Sequence, residues 1–247
     1  MSDRKLIIVD DPRAACVCAA EEIAHFAGEA ICSHGEFKIC LAGGSTPAAA
    51  YELMATRFHL SVDWKGVQFF WGDERCLPPD HEASNYGMAA RTMLSKLPLQ
   101  PSQIHRIHGE DDPEQAARAY EAELREAFSL EQDEFPRFDL ILLGLGADAH
   151  TASLFPGDAA IRETRRMAVA VEVEDKIRRR ITLTPPVLNN AARVMFMVCG
   201  AEKGPVLRNV LEGPKDPDRY PAQIVTPAQG EVIWVLDKSA AALLNAR

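Results

Sequence analysis

The sequence predicts an α/β protein whose core is an open, mainly parallel β-sheet with helices on both faces. Short apolar segments alternate along the chain with longer segments that begin with helix-start signals, which is the arrangement of successive βαβ units. The segment 138–146 is almost wholly apolar, as expected for a strand that is covered on both faces. These two observations favour a sheet buried between two helical layers.

The first half of the chain is predicted to contain three strands and four helices. Asp11 and Pro12 begin the first helix, and Gly35 ends it. Pro47 suits the first turn of the second helix, and Asp112 precedes the fourth. The predicted strands are 5–9, 37–42 and 67–74, and the predicted helices are 12–33, 47–57, 85–96 and 113–128.

The second half is predicted to contain five strands and two helices. The strand at 166–173 alternates between apolar and polar residues, as a partly exposed strand does. The predicted strands are 138–146, 166–173, 180–184, 192–200 and 231–236, and the predicted helices are 202–211 and a short one that Asp237 caps. Ligands of parallel sheets bind beyond the carboxyl ends of the strands, so the residues that follow the strands are the candidate site residues.

Composition limits the classes of protein that fit. The chain has 247 residues, of which 47% are hydrophobic and 26% are charged, and no linker or repeat divides it, so we predict one domain over residues 1–247. The net charge of −9 argues against a nucleic-acid partner. No apolar run approaches the ~20 residues of a membrane helix. The six cysteines form no C-x-x-C pair or zinc-ligand spacing, which favours reduced thiols in a cytoplasmic protein without a metal.

Two glycines and two hydroxyl residues follow the second predicted strand. Gly43, Gly44, Ser45 and Thr46 precede a helix, so free N–H groups and the positive end of the helix dipole meet at one point. This arrangement suits a phosphate group, although it lacks the G-K-[ST] of a P-loop. The alternative interpretation is a tight turn that a Ser or Thr side chain caps.

Three consecutive charged residues end the third predicted strand. Arg75 suits bidentate binding of a phosphate or an oxyanion, and Asp73 suits the orientation of a sugar hydroxyl. A surface cluster of ion pairs is the alternative. Ser84 and Asn85, a few residues later, are interpreted as a helix cap.

The loop after the strand 138–146 carries Asp148 and His150. Its G-x-G-x-x-A sequence matches a dinucleotide-binding pattern, but it lies in the middle of the chain and Pro156 follows too soon for the long helix that such a site needs. An imidazole beside a carboxylate suits general-base work. The alternative is a histidine that only holds the loop.

Two basic residues lie where they can converge on the same anion. Arg180 begins the strand 180–184, and Lys203 begins a helix at the carboxyl end of the strand 192–200. As a candidate nucleophile, Ser153 lies in no G-x-S-x-G elbow, and no cysteine forms a persuasive catalytic pair with a histidine near it in the sequence. The sequence therefore favours attack by activated water or proton transfer over covalent catalysis.

Five motifs in order resemble those of the glucosamine-6-phosphate isomerase/6-phosphogluconolactonase superfamily, in particular its lactonase members. They are L-A-G-G-S-T-P, W-G-D-E-R with S-N after it, G-L-G-A-D-A-H-T-A-S-L-F-P, R-I-T-L-T-P-P-V-L-N and C-G-A-E-K-G. The resemblance runs from about residue 41 to the last strand. It implies an isomerase-like, Rossmann-related fold with three α/β/α layers.

The resemblance also implies an activity and a set of site residues. The activity is hydrolysis of 6-phospho-D-glucono-1,5-lactone to 6-phospho-D-gluconate in the oxidative pentose phosphate pathway, with neither a metal nor an organic cofactor. His150 corresponds to the catalytic base, with Asp148 beside it and Arg75 near the sugar or phosphate. The residues that correspond to the phosphate site are Gly44, Ser45, Thr46, Arg180 and Lys203. The expected partner is a small sugar-phosphate lactone, and the expected state is a monomer or a weak homodimer.

Two positions depart from the pattern of the family. Ala149 stands where the family has glycine, and at a positive φ it would cost about 1 kcal/mol. The segment 175–179 stands where the family is usually proline-rich, so the assignment of Arg180 rather than Arg179 to the phosphate rests on its adjacency to the strand.

Two other functions remain as alternatives. One is an amino-sugar phosphate deaminase/isomerase, whose members carry an acid before the proline of this loop, where the chain has Phe155. The other is a non-catalytic sugar-phosphate sensor, because fold does not dictate function. No DNA-binding module accompanies the acidic chain, and the Asp148–His150 pair also argues against a sensor.

Overall fold

A six-stranded, wholly parallel sheet forms the centre of the computed structural model, which describes residues 4–245. Its strands are β1 (Arg4–Val9), β2 (Phe37–Leu41), β3 (Val67–Trp71), β5 (Leu140–Leu143), β8 (Arg193–Val198) and β9 (Glu231–Asp237). Their spatial order is β1-β9-β8-β5-β2-β3. The predicted fold class is confirmed.

A second, three-stranded sheet is antiparallel. It consists of β4 (Asp73–Arg75), β7 (Arg179–Leu183) and β6 (Ala168–Glu172), in the order β4-β7-β6. The predicted single strand 67–74 is therefore wrong, because Gly72 divides it between the two sheets. The Gly72 amide donates to Leu41 O in the parallel sheet, and its carbonyl accepts from Leu183 N in the antiparallel sheet. The charged residues after Gly72 are thus kept out of the parallel sheet.

Seven α-helices pack around these sheets within the described residues. They are α1 (Pro12–His34), α2 (Ser45–Thr56), α3 (Asn85–Thr92), α4 (Pro113–Ala127), α5 (Pro185–Asn190), α6 (Gly204–Glu212) and α7 (Lys238–Ala241). The carboxylates of Asp11, Asp112 and Asp237 cap α1, α4 and α7, as predicted. Gly35 ends α1 at φ +88°. The helix predicted at 85–96 ends at Thr92, and a separate 3₁₀ turn follows it at Leu94–Lys96.

The core lies between the parallel sheet and its helices. Its largest fully buried side chains include Trp71, Tyr51, Phe37, Phe70 and Phe196. None of the helices between residues 4 and 245 has both the length and the apolar character needed to cross a membrane. The carboxyl ends of β2, β5 and β8, which are adjacent in the sheet, are left open at one edge.

Candidate active site

A cleft of about 500 Å³ lies at the carboxyl ends of β2, β5 and β8. Polar residues of the antiparallel sheet and of α2 line it, together with apolar residues at the carboxyl ends of β5 and β8 and residues of the loop after β5. The predicted site residues that line this cleft are Gly43, Gly44, Ser45, Thr46, Asp73, Arg75, His150, Arg180 and Lys203. Asp148 does not line the cleft but contacts His150. The strand ends identified in the sequence therefore meet in one place.

The loop between β2 and α2 forms one wall of the cleft. Gly44 has φ +104° and is the N-cap of α2, and no side chain of the described residues caps this helix. The Ser/Thr-capped turn, the alternative considered for these residues, is therefore wrong. The first-turn amides of α2 remain available for an anion. Gly43 has no room for a side chain, because an added Cβ would lie 2.0 Å from Asn85 Oδ1.

Two cations approach the same cleft from other elements. Lys203 Nζ donates a 2.8 Å hydrogen bond to Leu145 O, which fixes its direction. The Arg180 side chain is only 6% exposed and forms an ion pair with Asp175. Arg179 is exposed and does not line the cleft, because successive residues of a strand point to opposite faces.

His150 is held on the rim of the cleft by two neighbours. Its Nδ1 lies 2.5 Å from Asp148 Oδ1, and its ring stacks on Phe155 with centroids 4.2 Å apart. Partial burial favours a higher pKa for Asp148, but the hydrogen bond and charge of His150 outweigh it, so the pKa of Asp148 is lowered. The carboxylate remains ionised and favours the imidazole tautomer with the proton on Nδ1. In that tautomer the Nε2 lone pair is available to accept a proton.

Ala149, between these two residues, adopts the left-handed conformation. Its φ is +68° and it is fully buried. Its amide donates to Gly146 O and its carbonyl accepts from Ala222 N, at 3.1 and 3.0 Å. The positive φ considered for this position is confirmed, and two backbone hydrogen bonds offset the strain.

The charged residues after Gly72 are mostly buried rather than exposed. Glu74 accepts hydrogen bonds from Ser84 Oγ and from the amides of Arg75, Asn85 and Tyr86. Burial raises the pKa of Glu74, and these amide donors offset only part of the effect. Ser84 also caps α3, as predicted. A surface cluster of ion pairs, the alternative considered for this segment, is therefore wrong.

The Asp73 carboxylate is bound by two other side chains at the base of the cleft. Its Oδ2 accepts from Ser153 Oγ at 2.6 Å, and its Oδ1 accepts from Asn85 Nδ2 at 3.1 Å. Arg75 donates from Nη1 to Ala83 O at 2.6 Å, whereas its buried Nε has no partner among residues 4–245. Asp73 therefore links α3 to the loop that carries His150.

The sequence interpretation missed three residues of the site. Ser153 was considered only as a nucleophile, Asn85 only as part of a helix cap, and the stacking of Phe155 was not foreseen. The hydrogen bonds of Asp73 reach 12 residues along the chain to Asn85 and 80 to Ser153, so no local pattern predicts them. The S-N pair shortly after W-G-D-E-R was the one available signal.

Comparisons with known proteins agree on one family. A sequence profile for "Glucosamine-6-phosphate isomerases/6-phosphogluconolactonase" matches residues 10–234. The chain is 41% identical to a 6-phosphogluconolactonase of Synechocystis, over 92% of this chain and 90% of that protein.

Solved structures of the same family share the fold. The structure of 6-phosphogluconolactonase from Trypanosoma cruzi superimposes with a TM-score of 0.89 at 28% identity, covering 100% of this chain and 99% of that one. A monomeric glucosamine-6-phosphate deaminase shares the fold at a TM-score of 0.80 and 21% identity, covering 97% of this chain and 99% of that one. Fold alone therefore does not separate the two activities.

Proposed function

We infer that this chain, which belongs to the glucosamine-6-phosphate isomerase/6-phosphogluconolactonase family, hydrolyses 6-phospho-D-glucono-1,5-lactone to 6-phospho-D-gluconate. This reaction is a step of the oxidative pentose phosphate pathway. The observation that carries the proposal is the Asp148–His150 pair on the rim of a cleft that also holds Arg180, Lys203 and the N-terminus of α2. The 41% identity to a 6-phosphogluconolactonase over most of both chains supports it.

The phosphate of the substrate binds at the N-terminus of α2. The amides of Ser45 and Thr46 and the hydroxyls of both residues meet the phosphate oxygens, and Gly44 lets the backbone come close. Arg180 and Lys203 supply the positive charge. These local cations work against the net charge of −9, which by itself would repel an anion.

His150 acts as the base on the attacking water. Its Nε2 takes a proton as the water oxygen forms a bond with C1 of the lactone, and the carbonyl oxygen becomes an oxyanion. Arg75, whose Nε is unpartnered among the described residues, donates to that oxyanion. The bond from C1 to the ring oxygen then breaks, and the imidazolium returns its proton to this leaving oxygen. The product is the open-chain acid, and the histidine is neutral again.

Phe155 favours the lactonase over the deaminase/isomerase. Amino-sugar isomerisation needs groups that open a ring and move protons between C1 and C2 of the sugar. Phe155 offers no proton, and its ring stacks on His150 at 4.2 Å. Hydrolysis of a lactone needs only one proton carrier, which His150 supplies.

The proposal is tested by following the loss of 6-phosphogluconolactone generated in situ. We expect the purified chain to accelerate the loss well above the uncatalysed rate and to release 6-phosphogluconate. The same preparation should not release ammonia from glucosamine 6-phosphate. Equal rates of lactone loss with and without the chain would contradict the proposal, and release of ammonia would favour the deaminase. The monomeric or weakly dimeric state, the cytoplasmic location and the single domain over 1–247 stay predictions.

A further inference from the structure

Asn85 carries a side-chain oxygen that no donor satisfies within the described residues. The residue is 2% exposed, and its Oδ1 is buried without a hydrogen-bond partner. Most buried polar atoms have a partner, because losing water without gaining a replacement is unfavourable. Asn85 lines the proposed catalytic cleft together with Gly43, Asp73 and Arg75. The missing donor is therefore best sought in the ligand.

The amide of Asn85 is held in one orientation. Its Nδ2 donates to Asp73 O at 2.9 Å and to Asp73 Oδ1 at 3.1 Å. A flipped amide would place Oδ1 against these two acceptors, so the network assigns Nδ2 to Asp73 and Oδ1 to the opposite side. The backbone amide of Asn85 is fixed as well, by a 2.7 Å bond to Glu74 Oε1. The unpartnered oxygen therefore has a defined direction.

Gly43 lies directly against the Oδ1 side of the Asn85 amide. A Cβ at this position would lie 2.0 Å from Asn85 Oδ1, so any other residue here would displace the Asn85 amide. Gly43 belongs to the loop that leads into the phosphate-binding end of α2. Asn85 Oδ1 thus lies next to the wall against which the substrate is anchored.

We propose that Asn85 is a specificity-determining residue whose Oδ1 accepts a hydrogen bond from one ring hydroxyl of the phosphorylated lactone. The proposal rests on the lactonase function proposed above. An acceptor needs a donor, and the phosphate, the carbonyl and the ring oxygen of a lactone are acceptors. Its free hydroxyls, at C2, C3 and C4, are the donors it offers. A buried oxygen that bonds a hydroxyl rejects an analogue lacking that group.

The test compares lactones that lack one hydroxyl each. The 2-, 3- and 4-deoxy forms of 6-phosphogluconolactone are generated in situ by oxidation of the corresponding deoxyglucose 6-phosphates. We expect the unmodified enzyme to lose about 10- to 100-fold in kcat/KM with one of them. Asn85→Ala should lose a similar factor with the full substrate but little more with that same deoxy lactone. This coupling is what a direct contact produces.

Ser153→Ala is the matched control. It removes a different hydrogen bond of Asp73 and leaves Asn85 Oδ1 untouched, so it should lower kcat/KM by one common factor for all four lactones. The proposed role of Asn85 is overturned if the loss of kcat/KM caused by Asn85→Ala and the loss caused by each missing hydroxyl simply multiply. An asparagine with a purely structural role would give that result, as Ser153 is expected to do.

The substrate comparison also stands without the variant. If Asn85→Ala does not fold, a wild-type enzyme that hydrolyses all three deoxy lactones within about threefold of the full substrate overturns the proposal by itself. If wild type fails to hydrolyse the full lactone, the lactonase function fails, and the hydroxyl contact fails with it. Normal hydrolysis of the full lactone without any coupling rejects only the role of Asn85.

Discussion

Replacing Gly146 by alanine should disable the catalytic pair without touching the phosphate site. The added Cβ would lie 2.1 Å from His150 Nδ1 and 2.6 Å from Asp148 Oδ1. The first distance is roughly 1.3 Å shorter than a close carbon contact, so the imidazole must move by about that amount. Gly146 has no positive φ, so the backbone itself tolerates alanine and the strain falls on the pair.

The displacement sets the expected size of the effect. A misplacement of about 1 Å costs on the order of 10²-fold in rate, so kcat for lactone hydrolysis should fall by about that factor. KM should change little, because the phosphate contacts come from α2, Arg180 and Lys203. Steady-state kinetics with lactone generated in situ measure both constants, and thermal unfolding checks that the variant is folded.

Gly144→Ala is the control in the same loop. A Cβ on Gly144 would meet nothing within 4 Å in the described chain, so kcat should stay within about threefold of wild type. A folded Gly146→Ala enzyme with the kcat of the control would refute the reasoning. It would mean that the Asp148–His150 contact does not have to be held in this geometry for catalysis.

The remaining predictions concern the phosphate site, the strained loop and the half-buried thiol of Cys76. Lys203→Met and Arg180→Met should each raise KM by about 10- to 100-fold with a smaller effect on kcat, because each removes a charged donor. Unchanged KM values would show that the phosphate does not bind at these two residues. Ala149→Gly should change the free energy of unfolding by less than about 1 kcal/mol, since relief of backbone strain offsets the lost methyl group. Ala149→Val should lower the free energy of unfolding by more than about 2 kcal/mol. Equal urea midpoints for the two variants would contradict this prediction. Burial raises the pKa of Cys76 to about 11, so its thiolate is scarce at pH 8 and its alkylation rate should rise about tenfold per pH unit up to pH 10. The exposed Cys32 is the control, and a Cys76 rate at pH 8 equal to that of Cys32 would be inconsistent with the raised pKa.

The parts of the fold that depend on local pattern could be predicted from the sequence. The apolar strands, the helix caps at Asp11 and Asp237 and the left-handed stop at Gly35 are all local signals, and they are confirmed. The division of strand 67–74 at Gly72 depends on which sheet supplies the next hydrogen bond, which is a long-range property. Periodicity along one strand does not show its pairing partner.

The contacts of the site also differ in whether they depend on local sequence or on long-range pairing. Asp148 and His150 are two residues apart, so their contact follows from one loop and could be foreseen. The choice of Arg180 over Arg179 depends on which face of β7 points into the cleft, and this becomes visible only when β7 pairs with β4. Asn85 and Ser153 meet at Asp73 from distant parts of the chain, so only the folded structure brings them together.

The most direct test of the central claim is kcat for 6-phosphogluconolactone hydrolysis by His150→Gln. Glutamine keeps a polar side chain of similar length but does not act as a base. We expect kcat to fall by about 10²- to 10⁴-fold relative to wild type, with a smaller change in KM. A folded His150→Gln enzyme with near-normal kcat would contradict the account, because His150 would then not be the base.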